Sequence, residues 1–414
     1  MKNKYFDIKD NLFDITKKYP ETIDLFSSIG FESIKDEKQR ELIGKSISLE
    51  MALSMKKINI KTFIDRMIEV IQENKISIDE SLGKSNNNKD ADIKIEGILP
   101  CPVRIPLLEA FNKWMDEKGS KLNITVDYEL KAASMGVDWL KDSLVKAECE
   151  DALSDIFISA GFDLFFDKNL MRKFKDNDVF EDITGFERFN KDFDNEEIDL
   201  KDPDRQYSMI GVVPAVFLVN TEELNGRDVP KSFEDILKPE FENSVSLPIG
   251  DFDLFNAILL NVFKKYGEDG VKKLGKSLFK GMHPSEMVKS HIKKDARPSV
   301  TIMPYFFTKM TKRGGPMKAV WPSDGAIISP IFLLSKKSKK DKLKPFVDFF
   351  ASKTVGEILS HNGRFPSVNP KVDNMLTNEH KYMWLGWDYI LNNDIGDLIK
   401  KCEKLFNSTC VDKK

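Results

Sequence analysis

The chain has 414 residues, of which 41% are hydrophobic and 32% charged, and its 64 Lys and Arg stand against 67 Asp and Glu for a formal charge of −3. This length suggests two or three domains at about 100–200 residues each, and the charge balance excludes a generally basic nucleic-acid surface. The longest uncharged run, Gln206 to Thr221, contains Pro214 and falls short of the roughly 20 residues a membrane span needs.

Cys101, Cys149, Cys402 and Cys410 show no CxxC pairing, no zinc spacing and no disulfide framework. Met1 to Phe13 carries Asp7 and Asp10 and lacks a continuous apolar core, so it does not read as a secretory signal. A cytoplasmic location is the expectation.

Residues 1–79 read as a small all-α domain. Leu12, Ile15 and Tyr19 give one apolar face. Pro20 opens a second helix with Ile23 and Phe26, which Gly30 is placed to end. Leu49, Ala52 and Met55 form a third face, and Phe63, Ile64, Met67, Ile68 and Ile71 a fourth, on a helix over about 61–73. The basic residues do not gather on one helix, which argues against a helix-turn-helix. Residues 80–92, including SLGKSNNNKDAD, read as a flexible linker.

From Ile93 the pattern alternates strand and helix. Ile93 and Ile95 lead to Pro100-Cys101-Pro102, and a helix follows with Ile105, Leu108, Phe111 and Met115 inward. Ile124, Val126 and Tyr128 form a second strand, Val137, Leu140 and Leu144 a helix, and Ile156 to Ile158 a third strand. This βαβαβ order predicts a parallel sheet that binds ligands beyond the carboxyl ends of its strands.

Val212 to Val219 is an apolar strand suited to crossing between lobes. Ser232 to Leu237 then reads as helix, Val245 to Leu247 as strand, Gly250-Asp251 as the start of a helix bearing Phe252, Phe255, Leu259 and Phe263, and Ser299 to Met303 as strand ending at Pro304-Tyr305. The loop Trp321 to Gly325 precedes a buried strand at Ile327 to Leu334. Leu343, Phe346, Val347 and Phe350 recur at helical spacing. Thr354 and Glu357 form a capping box for a last short helix ended by Asn362 and Gly363, and residues 407–414 are a tail.

Residues 93–406 resemble the bacterial extracellular solute-binding proteins of ABC importers, in the type 2 group that handles iron(III), thiamine, polyamines and similar solutes. The segments that carry the likeness are SDIFISAG, VPAVFLVNTEEL, VPKSFEDILKPEFENSVSLPIGD and the run from Lys318 to Pro370, in that order. The resemblance implies an α/β, two-lobed periplasmic-binding-protein type 2 fold with hinge-crossing strands. It also implies ligand capture with hinge closure. ITKKYPETIDLFSSIGF and GKSISLEMALSMKKINIKTFIDRMIE resemble a small helical domain of unknown function seen with iron–sulfur-repair and hybrid-cluster-associated proteins, here without the cysteines many relatives carry after the glycine–aromatic pair. That segment is expected to serve a protein partner.

The expected ligand-binding residues sit at strand ends: Pro100, Cys101, Pro102, Ser159, Ala160, Gly161, Gly250, Asp251, Tyr305, Trp321, Ser323 and Asp324. Small residues at Ser159 to Gly161 leave backbone N–H groups free for an anion at a helix start, or simply make a tight turn. Asp324 and Ser323 beside Trp321 suit a cationic or hydroxylated solute, or only launch the strand at Ala326. No Tyr-Tyr pair exists, and His283, His291, His361 and His380 have no i, i+4 partner, so no metal ligand set and no cofactor are expected. The expected role is a binder of a small solute, anionic or polar and a metal complex among the candidates, not an enzyme, as an ABC-type substrate-binding protein or an intracellular solute sensor. The competing readings are an enzyme on the same fold using Cys101 or Asp324, and an accessory of iron–sulfur metabolism.

Overall fold

The computed structural model describes residues 5–20, 22–28, 31–56, 60, 63, 64, 67, 68, 71, 91–132, 138–193, 198–249, 254–282, 287, 288, 290–292, 297–311 and 314–410. The chain forms two compact units, Met1–Asn87 and Asn88–Lys414.

In the first unit, helices Leu12–Lys18, Thr22–Ser28, Glu37–Gly44 and Leu49–Met55 surround a core that includes Leu12, Phe26, Leu53, Phe63 and Met67. Asn11 and Ser48 cap the first and last of these helices and pair with each other in an isolated bridge. Helix Glu37–Gly44 is absent from the pattern reading, because Leu42 and Ile43 face outward and leave it no apolar stripe. Met55 is also exposed, and Leu53 takes the inward place expected for it. Gly30 lies outside the described residues.

The second unit is built on one sheet. Its strands are β1 (Ile93–Leu99), β2 (Val126–Ala132), β3 (Ile156–Ala160), β4 (Ser208–Asn220), β5 (Val245–Leu247), β6 (Leu278–Gly281), β7 (Val300–Pro304), β8 (Met317–Val320), β9 (Ala326–Ser335) and β10 (Tyr382–Met383). The order β2-β1-β3-β9 is parallel except for β9, and β6-β5-β7-β4 repeats it with β4 antiparallel. Two equivalent lobes follow, each completed by a strand that crosses from the other. This is the two-lobed periplasmic-binding-protein fold. Every residue of β4 and β9 is buried, as strands covered on both faces must be.

Both crossing strands carry a proline where their pairing with the lobes lapses. Val212 donates its N–H to the Pro366 carbonyl on the outer edge of β4 at 3.0 Å. Two-residue alternation puts the backbone nitrogen of Pro214 on that same edge. Pro330 lies opposite Val212, so its nitrogen faces the outer edge of β9. A residue with no N–H leaves no unpaired donor at either place.

Several local expectations shift. Helix Cys101–Glu117 buries Val103, Leu107, Leu108 and Phe111, while Ile105 and Met115 are only partly covered. Phe111 sets that stripe, its ring 5.0 Å from Tyr128 and 5.1 Å from Phe350. The helix expected to carry a Thr354 cap begins at Lys353 and is capped by Ser352, which accepts from the Val355 N–H, so Thr354 lies inside its first turn. Helix Leu254–Ser277 is broken at Gly267 (φ 68°), and the expected Asp251 and Phe252 at its start, like Val137, lie outside the described residues. No helix among the described residues is long and apolar enough to cross a membrane.

Candidate functional site

β3 ends at Ala160, opposite Ile331 of β9. β7 ends at Pro304, opposite Ala215 of β4, which itself pairs with Ile327 of β9. The two strand ends therefore point toward each other, separated by the four residue steps from Ile327 to Ile331, or about 13 Å of strand. Ligands of open α/β sheets bind beyond carboxyl ends of this kind.

An aromatic row bounds this junction. Tyr305 leaves β7, Trp321 leaves β8 and Tyr382 opens β10. Trp321 packs edge to face on both, at centroid distances of 5.3 Å to Tyr305 and 5.5 Å to Tyr382. His380 lies 4.8 Å from Trp321, and Phe193 lies 4.8 Å from Tyr382. The indole N–H of Trp321 donates to the Lys381 carbonyl at 2.6 Å. Gly325 permits this packing: its φ is +103°, and a Cβ there would lie 2.5 Å from the Tyr382 carbonyl carbon.

Two cations reach across the junction. A π-helical turn, Ile358–Asn362, ends the helix begun at Lys353, and Arg364 follows with φ 49°, an uncommon value for a residue with a side chain. The Arg364 guanidinium lies 4.9 Å from the centroid of the Tyr305 ring and donates to the Thr308 hydroxyl. No carboxylate among the described residues pairs with it. From the other lobe, the Lys309 ammonium donates to the carbonyls of His361 and Asn362, the latter at 2.9 Å. Burial, and then the Arg364 charge, holds Lys309 below the usual lysine range.

Three buried polar atoms near the junction have no hydrogen-bond partner among the described residues: the Ser329 hydroxyl, the Tyr382 hydroxyl and the Trp384 indole N–H. An unmade buried hydrogen bond costs about 1–3 kcal/mol, which a ligand atom can recover. Burial, then the Asp192 charge and the Tyr305 phenol, pushes Tyr382 well above the usual tyrosine range.

The residues singled out from sequence separate into groups. Tyr305 and Trp321 meet in the aromatic row. Pro100 caps helix Cys101–Glu117, which begins at Cys101 with Pro102 in its first turn, so its amino end leaves β1 at the same sheet edge. Ser159 and Ala160 are buried, and the Ser159 hydroxyl donates to the Ala160 carbonyl at 2.9 Å. After Gly161 the chain makes a single helical turn, Asp163–Phe166. Ser323 is exposed, and its N–H donates to the Lys231 carbonyl. The Asp324 carboxylate accepts from the Phe233 N–H at 3.1 Å, from Lys265 at 3.0 Å and from the Tyr266 hydroxyl at 3.1 Å, a knot inside the second lobe. Gly250 and Asp251 lie outside the described residues. His361 and His380 make local contacts to the Asp373 carbonyl and to Thr377.

Sequence reasoning missed Arg364, Lys309, Tyr382, Trp384 and Ser329. The aromatic density of KYMWLGWDY was a usable signal for Tyr382 and Trp384. Arg364, just past a helix stop, reads as an ordinary surface arginine.

The profile of the family described as bacterial extracellular solute-binding protein matches residues 151–393. The chain belongs to this family. A second profile, described only as a domain of unknown function, matches residues 6–64. No curated protein matches the chain. Among solved structures, this solute-binding family member is similar to the periplasmic binding protein P5PA, at 17% identity and TM-score 0.53 over 76% of this chain and 99% of that one. It is likewise similar to a ferric binding protein from Campylobacter jejuni, at 16% and 0.53 over 77% and 99%. An ABC transporter from Clostridium perfringens matches at 15% and 0.54 over 77% and 100%. Likeness at these identities establishes the fold of this family member and nothing finer.

Proposed function

We propose that the protein captures a small solute carrying an anionic group at the junction of its two lobes and closes on it by hinge motion. One observation carries this reading. Arg364 is half-buried, held over Tyr305 and by Thr308, and meets no carboxylate among the described residues. A planar guanidinium with donors to spare is suited to a carboxylate or phosphate, which it grips through two parallel bonds. The unpartnered Trp384 N–H and Tyr382 hydroxyl supply neutral contacts for the rest of the solute.

The test is calorimetric titration of the full chain and of Arg364→Gln with inorganic phosphate, citrate and other small organic anions. A charge-assisted contact is worth about 1.5–3 kcal/mol, so the variant is expected to bind roughly 10–100-fold more weakly. Unchanged affinity in the variant would sink the reading.

A metal–anion complex is a second reading, since the Tyr305 and Tyr382 rings both border Trp321 and the Asp192 charge acts on the Tyr382 phenol. Hard oxygens of this kind suit a trivalent cation, and one fold relative is described as a ferric binding protein. Adding ferric citrate should then produce a visible phenolate band that Tyr382→Phe weakens; a flat difference spectrum removes this reading.

The cytoplasmic location and sensor role expected from the sequence belong to the same proposal. Fractionation of native cells checks them, and recovery outside the cytoplasm overturns them. A role for residues 1–79 toward a protein partner belongs to the proposal as well, and Leu42, Met51 and Met55 are exposed there. Met55→Glu should leave solute affinity unchanged and weaken that partner.

A further inference from the structure

The contacts between residues 308–309 and 361–364 form a crossed pair. Lys309, from the segment after β7, holds the end of the first lobe's helix through the His361 and Asn362 carbonyls. Arg364, just past that helix end, holds the second lobe through Thr308 and the Tyr305 ring. Phe306 and Phe365, from the same two segments, stack with centroids 6.4 Å apart. Lys309 suits its place, because a cation at a helix carboxyl end complements the macrodipole and the last unpaired carbonyls.

The crossed pair carries a cost. It brings two positive charges from opposite lobes together with no carboxylate partner for either among the described residues. Several other cations brought across segments of this unit meet an acid, as Lys175 does with Asp202 and Asp204, Lys336 and Lys339 with Asp155, and Lys265 with Asp324, while Lys264 and Lys173 rest on the Leu385 and Leu144 carbonyls. Like charges held at a partly buried junction repel, and an anion between them reverses the sign of the interaction.

We propose that Lys309 and Arg364 form one cross-lobe anion clasp, in which the bound anion permits the lobes to stay closed. The inference rests on the functional reading above and extends it in two ways. It adds Lys309 as a residue that selects for anions, and it makes closure conditional on the ligand's charge. The class of ligand group is one with at least two anionic oxygens, such as a carboxylate, phosphate or sulfate, since a guanidinium and an ammonium must be met together. A neutral solute of the same size would bind without closing the protein, because it cannot offset the repulsion.

The test is small-angle scattering of the full chain, with inorganic phosphate and citrate as probes and calorimetry run in parallel. Wild type is expected to contract when a probe anion binds. Arg364→Gln removes the repulsion and the anion contact together, so it should be contracted without any anion and indifferent to its addition. Lys309→Met loses the grip on the helix end while Arg364 remains. It also loses one charge of the repelling pair, so it should bind the probe roughly tenfold more weakly and change its dimensions little when saturated. If wild type binds neither probe, the functional reading fails and the clasp with it. If wild type binds a probe and contracts, but Arg364→Gln is as expanded as unliganded wild type, the clasp alone is wrong. Normal contraction of saturated Lys309→Met also rejects the clasp, independently of how the Arg364 variant folds.

Discussion

Arg364 lies over the ring of Tyr305, its guanidinium carbon 4.9 Å from the ring centroid, and the two residues belong to opposite lobes. Neither helix propensity nor strand alternation brings them together. The crossing strands do, by pointing β7 toward the first lobe and by laying residues 366–368 along β4.

This contact predicts a split between two substitutions at Tyr305. A cation–π contact needs the ring face and not the hydroxyl, so Tyr305→Phe should keep anion affinity within about twofold. Tyr305→Ala removes about 0.5–2 kcal/mol of support and should weaken binding by roughly 2–30-fold. Titration of both variants decides it. Equal losses would mean that the phenol oxygen matters instead, as the metal–anion reading requires.

Asp324 should behave as a structural residue of the second lobe. Asp324→Ala strands the Phe233 N–H and the Tyr266 hydroxyl and leaves Lys265 without its acid. A loss of about 2–4 kcal/mol in unfolding free energy is expected from denaturant titration. Burial, then the Asp324 charge and hydrogen bond, pushes the Tyr266 hydroxyl up. Spectroscopic titration should therefore find one tyrosine ionising earlier in Asp324→Asn than in wild type.

Gly325→Ala should couple loop strain to the site. The new methyl would meet the Tyr382 backbone at 2.5 Å on a left-handed φ. The expected cost is about 1–3 kcal/mol in stability, with weaker anion binding because β10 carries Tyr382. Full stability together with lost binding would show that the loop acts otherwise.

Glu96 gives a pH dependence. Burial, then the Glu129 charge, raises its pKa above the ordinary glutamate value. A raised carboxyl pKa means that the folded state holds the proton longer than the unfolded one. Stability therefore falls as pH rises from the ordinary glutamate value through the folded one, and the penalty is complete above that. Glu96→Gln should raise stability at neutral pH by about 0.2–1 kcal/mol, the scale of a cross-strand charge pair. The gain should vanish in acid. Thermal melts across pH 4–8 would show it, and an equal gain at every pH would refute the ionisation argument.

Much of the fold was legible because the strands bury both faces. Val245 to Leu247 is one such run, recovered with the same ends, and Ile327 to Leu334 is extended by only one residue at each end. The errors fall where a residue's side of a helix decides: Met55, Ile105 and Met115 are apolar and correctly spaced, yet a neighbouring stripe packs inward. Thr354 misled for a related reason, since Ser352 caps equally well and sits where the chain bends.

The site was half legible. Tyr305 and Trp321 stood at strand ends, where a sheet of this order exposes its loops, so their place followed from topology. Arg364, Lys309 and Tyr382 had no such marker.

By itself, the sequence determined the local alternation of strand and helix, the buried crossing strands and the solute-binding family, because these depend on apolar periodicity and segment order along the chain. Only the tertiary structure decided which charges are compensated. Asp324 is spent on Lys265 and Tyr266, while Arg364 meets no acid among the described residues. Whether a charge is satisfied depends on neighbours tens of residues away, across a hinge that no local pattern encodes.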